Sequence, residues 1–189
     1  NLLFLLTDAQ KLISFSPASK QFNPQNISLP ENSRVSSMST YLTYLYTLDP
    51  DNSTIYRYPR SEGGFGQGAS WLKEEIDLKG TKDMAIDENI FLIKDNEIIK
   101  LFKGKRESSS FENSAHPVKF SKIFTGTDIS NLYVLDSQNA RMVVYNKNGE
   151  LLRQYFSEEI LNAKDFAVDE KNNKVYLVTN DEKLVQMEL

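Results

Sequence analysis

An all-β chain of the β-propeller class is what these 189 residues predict, and three observations predict it. A strand–turn–strand unit recurs five times, each with an aromatic residue one place into its first strand: Phe4, Tyr46, Phe91, Tyr133 and Tyr176. Their spacings of 42, 45, 42 and 43 residues give a period in the forties, the length of a propeller blade. The first strand of each unit is mostly apolar at consecutive positions, as in Leu132-Tyr133-Val134-Leu135, and a strand buried on both faces between neighbouring blades reads that way. Finally, the residues joining each strand pair are largely of the Asp, Asn and Pro types that reverse a chain.

The first pair is Leu3–Leu6 and Leu12–Phe15, joined by Thr7-Asp8-Ala9-Gln10. The second is Leu45–Leu48 and Ile55–Tyr58, joined by Asp49-Pro50-Asp51-Asn52. The third is Ile90–Ile93 and Ile98–Phe102, turning at Asp95-Asn96. The fourth spans Asn131–Tyr145, and its turn carries Asp136, Asn139 and Arg141. The fifth is Val175–Val178 and Leu184–Met187, turning at Asn180-Asp181. A short innermost strand is expected ahead of four pairs: at Met38, at Asp83-Met84-Ala85-Ile86-Asp87, at Ile123-Phe124, and at Asp165-Phe166-Ala167-Val168-Asp169. Outer strands are expected at Leu151–Tyr155 after the Asn148-Gly149 turn, within Gln21–Leu29 and at Pro117–Phe120. Ser157–Asn162 reads as one helical turn capped by Ser157. The expected architecture is about five four-stranded blades in a single partial domain over 1–189. The first copy lacks an inner strand and the last an outer one, so either the ends join to close a ring of about five blades or the chain is part of a larger ring of six to eight; the mid-ring character of the first copy favours the larger ring.

Composition narrows the function. Apolar residues are 40% and charged residues 25% of the chain, so it is globular. A net charge of −4, from 22 basic and 26 acidic side chains, offers no long-range attraction for nucleic acid. The absence of cysteine removes disulfides and thiolate metal sites. No apolar run reaches the ~20 residues that span a bilayer, and the opening Leu2–Leu6 run is too short for one.

Two copies carry a further pattern. LYVLDSQNARMVVYNKNG and LYTLDPDNSTIYRYPR resemble NHL-type repeats, in which a Leu/Ile-Tyr-Val strand leads to Asp, then Asn and Arg, then an aliphatic–aromatic strand. Asp136, Asn139 and Arg141 match it; so do Asp49 and Asn52, whereas Thr54 stands in the Arg place, and Thr7, Lys94 and Thr179 replace the Asp elsewhere. The phrases DMAIDENIFLIKDNEIIKLFKG, IFTGTDISNLYVLD and DFAVDEKNNKVYLV are similar to a group of bacterial proteins with a C-terminal propeller-like region after a membrane span. Some of these carry a PPM-type Ser/Thr phosphatase-like module on the other side of the membrane. That resemblance implies an extracytoplasmic, membrane-tethered sensing or interaction domain without phosphatase residues of its own.

Candidate sites are few. Asp136 with Arg141, and Asp49 with Asn52, read as structural turns in which the carboxylate holds local backbone and the guanidinium pairs with it between blades. The run Gly63-Gly64-Phe65-Gly66-Gln67-Gly68 with Trp71 reads as an inter-blade crossing or a ligand-contacting loop, its glycines letting backbone approach a partner. It lacks the strand–glycine–helix context of a nucleotide site. Trp71, Phe65, Gly66, Tyr41 and Tyr44 are the candidate ligand-binding residues. His116 is the one histidine, so a catalytic triad would hang on a loop residue without partners. Asp83, Asp87, Asp165 and Asp169 flank inner strands, where carboxylates hold calcium in lactonase-like propellers, but the set of Glu, Asn and Asp those enzymes need does not assemble. Lys103-Gly104-Lys105-Arg106 reads as a solvated hairpin end. The function expected is a non-catalytic binding or sensing module for a protein, peptide or glycan, with no catalytic residue, metal or cofactor. The alternatives are a calcium-dependent lactonase-like hydrolase and a structural or oligomerisation spacer.

Overall fold

A computed structural model describes residues 2–113 and 117–189. The chain forms two compact units, Asn1–Lys79 and Gly80–Leu189. His116 lies outside the described residues.

The first unit holds two sheets. In one, β1 (Leu3–Leu6), β2 (Leu12–Ser16) and β3 (Gln21–Pro24) lie in chain order. The other uses β4 (Asn26–Ser28), β5 (Ser37–Tyr41), β6 (Tyr44–Asp49), β7 (Thr54–Ser61), β8 (Gly64–Gln67) and β9 (Ala69–Ser70), in the order β4-β8-β7-β6-β5 with β9 also on β7. Leu12, Leu45, Tyr58 and Phe65 form its buried core, with Phe4, Met38 and Tyr56 packed against them.

The second unit holds three sheets. The first comprises β10 (Thr81–Ile86), β11 (Ile90–Lys94), β12 (Glu97–Phe102) and β13 (Lys105–Arg106). The next comprises β14 (Lys122–Phe124), β15 (Asn131–Asp136), β16 (Arg141–Asn146) and β17 (Leu151–Phe156). The last comprises β18 (Ala163–Asp169), β19 (Lys174–Thr179) and β20 (Leu184–Glu188). Each is an antiparallel meander in chain order, the form of a propeller blade. Two cores run between consecutive sheets, one around Phe91, Ile93, Leu132 and Val134, the other around Tyr133, Leu135, Phe166 and Leu177. Leu132 and Tyr133 are successive residues that pack into different cores, as a strand buried on both faces requires. One helical turn, α1 (Glu158–Leu161), follows β17; the Ser157 hydroxyl caps it by accepting from the Glu159 N–H at 3.3 Å.

The all-β, blade-like reading is what the structure has, and so is an outer strand within Gln21–Leu29, at β3; other elements are corrected locally. Pro117–Phe120 is not a strand: the Pro117 carbonyl accepts instead from the side chains of Arg141 at 2.8 Å and Asn139 at 3.2 Å. The outer strand of that region is β13, formed by the basic run; Lys103 and Gly104, at φ +50° and +84°, make the tight turn that starts it. Gln21–Leu29 divides between two sheets, β3 against β2 and β4 parallel to β8. The glycine run is no loop, since Gly64–Gln67 is β8, sitting between β4 and β7. Four strands per blade hold for the sheets of β10 and β14, while the sheets of β1 and β18 have three.

Candidate functional site

One turn recurs three times and explains the conspicuous Asp and Asn residues. Asp49, Asp136 and Asp169 each accept a bond from the side-chain amide of the Asn three residues on: Asn52 at 2.9 Å, Asn139 at 2.8 Å and Asn172 at 2.7 Å. The next residue is left-handed in each case: Ser53 at φ +47°, Ala140 at +51° and Asn173 at +54°. Burial works against the Asp49 carboxylate, but bonds from Asn52, Ser33 and the Arg34 N–H outweigh it and hold its pKa below the ordinary value. At Asp136 the turn acquires Arg141, whose Nε donates at 2.8 Å, with both side chains sealed from water. The guanidinium also donates to Gln154 at 3.0 Å and to the Pro117 carbonyl. Asp136 and Arg141 are register partners on β15 and β16, so their ion pair lies within one sheet.

The carboxylates beside the inner strands are likewise engaged. Asp83 accepts from the Ile123 N–H at 3.0 Å and faces Lys122 at 3.8 Å. Asp87 binds Lys147 at 2.7 Å. Asp165 accepts from the Phe166 N–H at 2.8 Å. Among the described residues no three His, Cys, Asp or Glu side chains are grouped to hold a metal ion. Glu170, after β18, accepts from the N–H groups of Ser130 and Asn131 and from the Tyr133 hydroxyl, at 2.6, 3.0 and 2.9 Å. Burial disfavours its charge, yet these donors hold its pKa below the ordinary range, while burial pushes the Tyr133 phenol up to about 12.

An open recess of about 330 Å³ lies in the first unit. The turn from β5 to β6 supplies Leu42 and Thr43, the start of β6 supplies Tyr44, and the paired ends of β7 and β8 supply Arg60 and Phe65; Leu2, Phe4 and Thr40 complete it. Phe4 and Phe65 meet edge to face, with centroids 5.3 Å apart at 67°. The Arg60 guanidinium caps that pair, 5.2 Å from one ring and 4.9 Å from the other. Among the described residues Arg60 is the one charged residue of the lining, and Leu42 at its rim is 79% exposed.

The recess gathers two of the candidate ligand-binding residues, Tyr44 and Phe65. Trp71 stands at the end of an aromatic row: its ring meets Tyr46 edge-on at 6.1 Å, Tyr46 meets Tyr44 at 6.5 Å, and Arg57 lies over Tyr44 at 4.7 Å. Tyr41 pairs with Tyr44 across the β5–β6 turn, and Gly66 sits beside Pro59. Sequence reading missed Phe4 and Arg60. The signal for Arg60 was the segment RSEGGF, which as a tight hairpin sets Arg60 opposite Phe65 in register.

The fold has solved counterparts. It is similar to a streptogramin B lyase structure, at 13% identity and a TM-score of 0.54, over 100% of this chain and 68% of that one. It is also similar to virginiamycin B lyase from Staphylococcus aureus, at 10% identity and a TM-score of 0.56, over 100% and 70%. A catalytically inactive variant of that lyase, solved with quinupristin, matches at 11% identity and a TM-score of 0.52, over 98% and 69%. At these identities the likeness shows the propeller fold and no activity. No protein-family model matches the chain, and no curated protein does.

Proposed function

We propose that the chain is a propeller-type binding module without catalytic activity, and that the recess around Arg60 is its recognition surface. The observation that carries this reading is the Phe4–Phe65 pair capped by Arg60 beneath an exposed Leu42. Aromatic and arginine side chains set in a partly desolvated concavity are the usual anchors of recognition. Paired strands present them, with Phe4 on β1, Arg60 on β7 and Phe65 on β8, so little ordering entropy is lost when a partner docks. The partner class is a protein, peptide or glycan, and extracytoplasmic tethering through a segment outside these residues belongs to the same proposal. The calcium-dependent hydrolase is less well supported, because Asp83 and Asp87 are each tied to a lysine.

The test is a screen of the chain against peptide and glycan arrays, repeated with Leu42→Asp and Tyr44→Ala. Hits are expected to weaken by about tenfold or more in both variants. Hits that bind both variants as well as the parent would remove the recess from the account.

A further inference from the structure

We infer that the recess takes an apolar group ending in a carboxylate; this deepens the binding-module reading and rests on it. The lining, its charge and its size lead there. The lining is apolar and aromatic through Phe4 and Phe65, with Leu42 at the rim, so the body of a ligand would be hydrocarbon or an aromatic ring. Among the described residues its one charge is the Arg60 guanidinium, and no carboxylate lines the recess to answer it. The guanidinium donates to the Gln25 side-chain oxygen at 3.4 Å, a long bond that uses one nitrogen of the planar fork. The guanidinium lies over both rings and is exposed, so the nitrogens that Gln25 does not engage face solvent and are open to a two-oxygen acceptor. The hydroxyls of Thr40 and Thr43 at the rim add short polar groups without adding charge. A cation would be repelled, and a neutral apolar group would leave the fork unused. A volume of about 330 Å³ suits a group of one or two side chains rather than a folded surface.

A free aryl or alkyl acid and the C-terminus of a peptide present this chemistry equally. The experiment therefore has two arms, both read by amide chemical-shift perturbation of the full chain. In the first, hydrocinnamate is titrated against hydrocinnamamide. In the second, acetyl-Gly-Leu-Phe with a free C-terminus is titrated against the same peptide amidated. The expected result is shifts clustered on Leu42, Thr43, Arg60 and Phe65, with the acid form about tenfold tighter than the amide in at least one arm. Arg60→Gln is expected to abolish that preference, Arg60→Lys to keep part of it, and the exposed-site change Leu42→Asp to abolish binding while leaving the melting temperature unchanged.

If acid and amide bind the recess equally, the carboxylate inference is overturned and the recess reading stands. If no probe shifts the recess residues at up to about 10 mM, a concentration that reveals even millimolar dissociation constants, both are overturned.

Discussion

Arg141 is 1% exposed, and its charge survives burial because Asp136, Gln154 and the Pro117 carbonyl answer it. Removing one partner would leave the other as an uncompensated buried charge. Arg141→Ala is therefore expected to destabilise the Gly80–Leu189 unit by about 3–5 kcal/mol, measured by urea unfolding. A double change of Asp136 and Arg141 to apolar residues should cost less than that single change. Glu170 and Tyr133 are two of the groups that contribute to the pH response. A carboxylate with a lowered folded pKa contributes stability above its ordinary value of 4.5, lost as pH falls through the lower folded value. The Tyr133 phenol, raised from 10.0 to about 12, contributes below pH 10, and that contribution is lost as pH rises toward 12. Melting curves from pH 3 to 6 should show a shallower acid loss in Glu170→Gln than in the parent, because the titrating group is gone. Equal acid slopes would contradict the role given to Glu170. The Asp–Asn turns were legible from sequence because their bonds are local. Glu170 was not, because its partners lie 37 to 40 positions away.

Among the elements, β8 separates what sequence can and cannot reveal. Its glycines suggested freedom, and the structure uses them for closeness. At Gly64, φ is +156° and a Cβ would fall on the Asn26 backbone of the parallel strand β4. At Gly68 a Cβ would fall on the Tyr58 ring, which is fully buried. At Gly66 the nearest atom is Pro59 Cγ, at 3.4 Å. Gly64→Ala and Gly68→Ala should each destabilise the Asn1–Lys79 unit by about 1–3 kcal/mol or more, whereas Gly66→Ala should cost under about 1 kcal/mol. Equal effects at the three positions, by thermal unfolding, would show the run to be a loop after all. The β15–β16 turn offers the opposite case: Ala140 occupies a left-handed position at φ +51°, so Ala140→Gly should stabilise by about 0.5–1 kcal/mol. Periodicity found the strand pairs because burial on both faces leaves consecutive apolar residues. It could not find β4 or β9, which are 3 and 2 residues long and carry no pattern of their own.

Five small sheets, two in Asn1–Lys79 and three in Gly80–Leu189, give the chain a propeller-type build with its polar residues spent mostly on holding turns. The recess is the exception, since Arg60 caps aromatic rings and meets no carboxylate in the lining. It was only half legible in the sequence, because Phe4 and Arg60 are far apart in the chain, lie in different sheets and meet only where the two sheets pack. Hydrogen–deuterium exchange of the full chain with and without saturating acetyl-Gly-Leu-Phe tests the recognition claim most directly. The account predicts slowed exchange across Leu3–Leu6, Thr40–Tyr44 and Arg60–Phe65, and unchanged exchange in Gly80–Leu189. Slowing confined to Gly80–Leu189, or none anywhere, would contradict it.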